Sequence, residues 1–137
     1  MKDKEKQLLI KGICEMLPYG VKGKIPFGSV TVEIIGHTIP YDGEVFYRVD
    51  NFVEWVEVKD FKPYLRPMSS MTEEEREEFG ELLKGYLYRG VPTEEFVSRM
   101  EEFYNSHHFD FRGLIPMGLA LEAPKDMYKK DDNNLLI

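Results

Sequence analysis

The densest group of side chains that could do chemistry is the hexapeptide His107-His108-Phe109-Asp110-Phe111-Arg112. Two imidazoles and a carboxylate could bind a divalent metal or supply the acid and base that hydrolyse a phosphate ester, with Arg112 stabilising negative charge. Adjacent side chains diverge on a helix or a strand, so His107 and His108 are poorly placed to share one ion. We therefore expect a structural role for the cluster, and a metal-dependent hydrolase is the third functional hypothesis.

The structural interpretation assigns each polar residue of the cluster a local task. A histidine would lie at the C-terminal end of the preceding helix, where positive charge is favourable. Asp110 and Arg112 would pair with each other or cap the turn before Gly113. The sequence thus predicts no catalytic, cofactor-binding or metal-binding residue.

Aromatic residues of the predicted strands supply a second set of candidates. Their rings could stack on the bases of a single-stranded nucleic acid, and basic residues follow them in the chain. The alternative is that the rings form the interior of a small sheet. We favour the interior, because the chain carries 18 basic and 25 acidic residues, a net charge of −7, with no dense basic stripe. The nucleic-acid candidates are Phe46, Tyr47, Phe52, Trp55, Lys59, Lys62 and Arg66.

Other reactive side chains lack the neighbours that catalysis needs. Cys14 has no CxxC partner, and Ser69 and Ser70 lie in no GxSxG or SxxK pattern. The charge run from Glu73 to Glu78 usually indicates a solvated helix face and sometimes a docking surface for a basic partner. These residues therefore point away from an enzyme.

Composition limits the class of protein. A chain of 137 residues that is 42% hydrophobic fits one compact domain with one core. No segment approaches the roughly 20 apolar residues that cross a bilayer, and the N-terminus has no long apolar run after its charges. A single cysteine fits a reducing compartment. We expect a cytoplasmic protein that does not enter a membrane.

The N-terminal half reads as a helix followed by strands. Apolar residues share one helical face between Lys4 and Leu17, and Pro18 ends that helix. From Val21 to Val58, alternating apolar residues separated by glycine and proline predict an antiparallel meander of three or four strands. The two prolines of Phe61–Pro67 predict a connector that is neither a helix nor a central strand.

The C-terminal half reads as two helices. Thr72 and Glu75 form a capping-box pattern that starts a helix over Thr72–Arg89, and a second helix spans Thr93–Tyr104. The predicted fold is α+β, with an N-terminal helix, a small antiparallel sheet that could curl towards a barrel, and a helical hairpin covering the sheet. Residues 1–124 would form one domain and residues 125–137 a loose tail. The hairpin residues expected to be largely buried are Phe79, Leu83, Tyr86, Phe96, Met100 and Phe103.

Three sequence blocks resemble one group of proteins. The blocks are Leu17-Pro18-Tyr19-Gly20-Val21, the run Phe61–Glu75, and His108–Ile115 continuing into Gly118–Pro124. They resemble small hypothetical proteins encoded in phages, prophages and mobile elements of gut Bacteroidetes. The resemblance spans most of the chain but implies only a bacterial or phage context, because that group has no assigned activity. The polar segment after Pro124 departs from it.

These observations predict a noncatalytic accessory or protein-interaction module, whose partner is another protein or a second copy of the chain. A single-stranded nucleic-acid-binding module is the second hypothesis. If the first is right, the strand region Val21–Val58 should carry an exposed apolar patch or an uncovered sheet edge.

Overall fold

The computed structural model describes residues 1–27, 30–38 and 44–128 and contains three helices and six strands. Helix α1 is formed by Asp3–Met16, α2 by Glu73–Tyr88 and α3 by Thr93–Ser106. The strands in chain order, β1 to β6, are Lys22–Lys24, Thr31–Thr38, Phe46–Val49, Val56–Glu57, Lys62–Leu65 and Leu121–Glu122. The α+β class is therefore confirmed.

The strands form one mixed sheet in the order β4-β3-β2-β1-β5-β6. Every pairing is antiparallel except that of β5 with β6, which is parallel. The two edge strands are two residues long and lie at opposite ends of the sheet. Among the described residues the sheet is therefore open, and the barrel-like alternative is wrong.

Strand β5 corrects the prediction of a simple connector over Phe61–Pro67. Lys62–Leu65 lies between β1 and β6, with Pro63 opposite Gly23. Proline removes one donor from a strand but does not prevent an extended backbone. The ring of Phe61 covers Gly23 so closely that a Cβ at position 23 would lie 2.4 Å from Phe61 Cζ. The missing side chain at Gly23 thus lets β1 and β5 approach beneath a buried aromatic ring.

The core lies between α1 and the inward face of the sheet. Leu9, Ile13 and Met16 of α1 are buried, as their helical spacing predicts. The helix ends at Met16, and Leu17–Tyr19 forms one turn of 3-10 helix that includes Pro18. The strands contribute alternate residues to this core, including Val32, Ile34, Tyr47, Val49 and Leu65.

Helices α2 and α3 form the predicted hairpin, and the capping box of Thr72 and Glu75 is present. Tyr86 stacks on Phe96 with ring centroids 4.6 Å apart, so the hairpin's aromatic side chains contact each other. Within the described chain, α2 packs mainly on α3, and α3 packs on α1. The hairpin therefore lies beside α1 rather than over the sheet. This explains why Phe103 is buried while Leu83, predicted to be buried, is 38% exposed.

Residues 125–128, where the loose tail was predicted to begin, form a turn against the outward face of the sheet. The Tyr128 hydroxyl donates to the carbonyls of Tyr64, at 2.8 Å, or Lys22, at 3.2 Å, and accepts from the Lys22 amide. Residues 129–137 of the predicted tail lie outside the described residues. None of the helices described is long and apolar enough to cross a membrane.

Candidate functional site

The His107–Arg112 segment leaves the end of α3 and runs beside the end of β5. The Arg66 amide donates to the His108 carbonyl at 2.7 Å, and the Asp110 amide donates to the Arg66 carbonyl at 2.8 Å. These bonds place the predicted polar cluster at the junction of α3 and β5, beside α2. The two histidines then turn to different surroundings.

His107 lies between two glutamates of α2. Its Nδ1 is 3.0 Å from Glu75 Oε2, and its Nε2 is 3.3 Å from Glu78 Oε2. The ring also packs against Phe103, with centroids 4.7 Å apart. His107 therefore joins the C-terminal end of α3 to the N-terminal turn of α2.

Glu75 is the centre of an ion-pair cluster that was not predicted from the sequence. Arg66 donates to both of its carboxylate oxygens at 2.7 Å, and the Thr72 amide donates to it at 2.9 Å. Hydrogen bonding from Arg66 outweighs the effect of burial and lowers the pKa of Glu75 to about 2. The Arg66 guanidinium also lies over the ring of Phe109, 4.3 Å from its centroid. Arg66, assigned to the nucleic-acid candidates, is thus held in a structural pair.

His108 is buried on the other side of this segment and has a left-handed backbone, with φ of 60°. Its Nε2 lies 2.6 Å from the Gly20 carbonyl oxygen, an acceptor, so Nε2 carries the hydrogen that is donated. Its ring stacks on Tyr128 at 3.6 Å between centroids. Nδ1 is buried and has no hydrogen-bond partner among the described residues. Burial lowers the pKa of His108, so the neutral ring is favoured.

Asp110 and Arg112 have separate partners. Asp110 accepts hydrogen bonds from the amides of Leu114 at 2.7 Å and Ile115 at 2.9 Å, and so holds the turn around Gly113. Arg112 pairs with Glu15 of α1 and donates to Asn105 of α3. Burial lowers the pKa of Arg112. The cluster thus joins α1, α3 and the following loop.

The geometry of the cluster favours structural roles for its polar residues. The carboxylates of Glu75, Asp110 and Glu15 accept from protein donors, and the histidines do not converge. In residues 1–27, 30–38 and 44–128, no group of three or more His, Cys, Asp and Glu side chains could hold a metal ion. The long-range partners Arg66 and Glu15 are missed by sequence reasoning because no local pattern connects them to the cluster.

The nucleic-acid candidates do not form one surface. Tyr47 is fully buried, and Phe46 and Phe52 are half-buried. Lys59 pairs with Glu57 at 3.3 Å, whereas Lys62 is exposed. Phe52 stacks on the exposed Phe27, with centroids 5.6 Å apart. Of the proposed aromatic platform, only Trp55 is exposed.

Trp55, the residue directly before β4, is one of three exposed residues in this part of the sheet. Arg48 of β3 pairs with Gly36 of β2, the residue that follows Ile35 in the chain. The Arg48 guanidinium is 5.7 Å from the centroid of the Trp55 ring. Ile35 is 62% exposed and Trp55 is 47% exposed. We call Ile35, Arg48 and Trp55 the sheet row. The β-bulge between Ile34 and Gly36 lies next to it and could not be located from alternation alone.

An open depression of about 450 Å³ lies where the turn of residues 124–127 meets β1 and β2. Lys22, Glu33, Asp50 and Asp126 are among its polar lining residues. Asp50 already accepts a hydrogen bond from the Glu33 amide at 2.7 Å. None of the residues of the sheet row or of the His107–Arg112 segment lines the depression, and its mixed charges select no class of ligand.

No protein-family model, curated protein or solved structure matches this chain.

Proposed function

We propose that the protein is a noncatalytic interaction module that binds another protein through the outward face of its sheet. The observation that carries this proposal is the sheet row. Soluble proteins often expose single apolar residues, but an exposed tryptophan and isoleucine near one arginine on a sheet are typical of a binding site. Exposed tryptophan and arginine are also the residues that contribute most to protein interfaces.

Further exposed residues of the same chain region support the proposal. Val53, at 84% exposed, lies two residues before Trp55, and Phe27 and Val30 are also exposed. The polar cluster gives no competing function, because its groups are held by other parts of the fold, such as Glu15, Gly20 and Glu75. A cytoplasmic location fits the single cysteine and the absence of a membrane-crossing helix in the described chain. A phage or mobile-element origin is supported by the resemblance of the three sequence blocks.

Photo-crosslinking tests the proposal directly. A crosslinking amino acid at position 35 should capture a cellular protein that the same amino acid at Glu77, an exposed position on α2, does not capture. The purified captured protein should then bind the wild-type chain, and Ile35→Asp should weaken that binding by about tenfold or more. Equal capture from both positions, or unchanged binding by Ile35→Asp, would contradict the proposal.

The second candidate, nucleic-acid binding, is favoured by one observation. Arg48 lies over Trp55, and Lys24 and Lys62 are exposed on neighbouring strands. A titration with single-stranded DNA and RNA at low and moderate salt separates the two functions. Submicromolar, salt-sensitive binding that is lost in Trp55→Ala would replace the protein-interaction proposal with this one.

A further inference from the structure

The helical hairpin carries an apolar surface that is separate from the sheet row. Leu83 is 38% exposed, Leu87 is 56% exposed and Val97 is 39% exposed. We call these three residues the hairpin face. Since α2 packs mainly on α3, and the hairpin lies beside α1, this face has no covering element in the described chain.

Helix geometry places the three residues on one side of the hairpin. The Tyr86–Phe96 and Phe79–Phe103 ring contacts show where the two helices face each other. Around the axis of α2, Leu83 lies about 60° and Leu87 about 100° from Tyr86. Around the axis of α3, Val97 lies about 100° from Phe96, with the same direction of rotation when each helix is viewed from its N-terminus. Because the two helices are antiparallel, these rotations lead to the same side. Gly80 lies on the same stripe of α2, and a Cβ there would meet nothing within 4 Å. The face is therefore shallow and open.

The charge of the hairpin identifies the partner that fits this face. Residues 72–106 contain four basic and ten acidic residues, so the hairpin carries a net charge of −6 out of −7 for the chain. Three of the basic residues pair within the hairpin, Lys84 and Arg89 with Glu81 and Arg99 with Glu95. Glu94 and Glu101 lie three residues before and four residues after Val97, on the same side of α3. The apolar surface is thus bordered by negative charge.

We propose that the hairpin face binds a basic amphipathic helix of a partner protein. Leucine-like side chains of that helix would lie against Leu83, Leu87 and Val97, and its lysine or arginine side chains would face Glu94 and Glu101. Binding of an amphipathic helix by its apolar face to an apolar surface, here formed by α2 and α3, is a common mode of peptide recognition. A second copy of this chain fits less well, because pairing two hairpins would bring two net charges of −6 together. This proposal uses a different surface from the sheet row and does not depend on it.

The test is a fluorescence-anisotropy titration with a labelled synthetic helix of about 18 residues. Its leucines follow the i, i+3, i+4, i+7 spacing and its other positions are lysine and alanine. The control peptide has the same composition with its leucines distributed around the helix. The wild-type chain should bind the amphipathic peptide more tightly than the control, and added salt should weaken the binding.

Matched variants locate the binding. Leu83→Gln with Leu87→Gln should weaken it by about tenfold or more without changing the net charge, and Glu94→Gln with Glu101→Gln should reduce its salt dependence. Val53→Gln, in the loop between β3 and β4, should leave the binding of the peptide unchanged. Circular dichroism checks that each variant is folded. The proposal is overturned by equal binding of both peptides, by unchanged binding of the Leu83/Leu87 variant, or by a dimer that this variant converts to a monomer.

Discussion

Glu75 combines three roles in one side chain. It caps the start of α2, forms two hydrogen bonds with Arg66 and contacts His107. Glu75→Ala should reduce the free energy of unfolding by about 2–4 kcal/mol, since it removes a cap and leaves Arg66 without its carboxylate partner. Urea denaturation at neutral pH measures this loss. Glu77→Ala, an exposed change on the same helix, is the control and should alter stability by less than about 0.5 kcal/mol.

The same residue should make the fold sensitive to acid. The folded-state pKa of Glu75, about 2, lies below the ordinary value of 4.5. Its contribution is therefore complete above about pH 4.5 and is lost as the pH falls towards 2. If Glu75→Ala and Glu77→Ala reduce the free energy of unfolding equally at neutral pH, the Glu75–Arg66 pair contributes nothing to stability.

His108 predicts a second pH dependence, at higher pH. Because burial lowers its folded-state pKa below the ordinary value of 6.5, the unfolded chain binds a proton more readily than the folded chain. Stability should thus be greatest above about pH 6.5 and should fall as the pH drops below it. His108→Asn keeps a residue that tolerates the left-handed backbone and should flatten this dependence.

Urea denaturation of the wild type and His108→Asn at several pH values between 5 and 8 measures how the free energy of unfolding depends on pH. His37, which is exposed, is the matched control, and His37→Asn should retain the wild-type slope. His107 is present in both variants, so any contribution it makes cancels from their difference. A wild-type slope in His108→Asn would assign the pH dependence to another group.

At the scale of elements, Gly23 shows how two strands are brought together. Gly23→Ala would place a Cβ 2.4 Å from Phe61 Cζ and 2.6 Å from the Lys62 carbonyl oxygen. We expect it to destabilise the fold by about 2 kcal/mol or more, through strain between β1 and β5. The control is Gly80→Ala in α2, which meets nothing within 4 Å and should stabilise by about 0.5–1 kcal/mol. Thermal denaturation of the two variants should show a lower midpoint for Gly23→Ala and a higher midpoint for Gly80→Ala than for the wild type.

The elements that were predicted correctly carry local signals. The capping box of Thr72 and Glu75 marks the start of α2, and the spacing of Leu9, Ile13 and Met16 marks the buried face of α1. Strand β5 was missed because its signal is not local. Pro63 argues against a strand by itself, and only the pairing with Gly23, forty residues earlier, shows why the strand is tolerated.

The candidate site was less predictable than the fold for the same reason. The sequence drew attention to His107, His108, Asp110 and Arg112 but could not supply their partners. Arg112 meets Glu15 across 97 positions, and His108 meets Gly20 across 88. Periodicity describes which face of an element is apolar, not which element lies against it. The burial of Tyr47 and the exposure of Trp55 likewise depend on the packing of the whole sheet.

At the scale of the whole molecule, Tyr128 attaches the C-terminal turn to the sheet. Its hydroxyl bonds to the backbone of Lys22 and Tyr64, and its ring stacks on His108. Tyr128→Phe keeps the stack and should lose about 1–2 kcal/mol of stability, because half-buried backbone groups lose their partner. Tyr88→Phe, at an exposed tyrosine of α2, is the control and should change stability little.

Limited proteolysis gives an independent measure of the same contact. Lys125 lies in the turn that Tyr128 holds. Trypsin should therefore cut after Lys125 faster in Tyr128→Phe than in the wild type, whereas cleavage elsewhere should change less. Identical cleavage rates at Lys125 would mean that the hydroxyl does not secure this turn.

The contacts of Tyr128 also bear on the order in which the chain acquires its structure during synthesis. Lys22 of β1 and Tyr128 are 106 positions apart, so a ribosome has made nearly all of the described chain before they can meet. The ion pair between Glu15 of α1 and Arg112 likewise forms only after Arg112 has been made. Pairings of such long range slow folding, because a large loop closes before the contact forms. Leu9, Ile13 and Val21 thus stay exposed at least until the strands that cover them have been made, and this early segment is where a chaperone would bind.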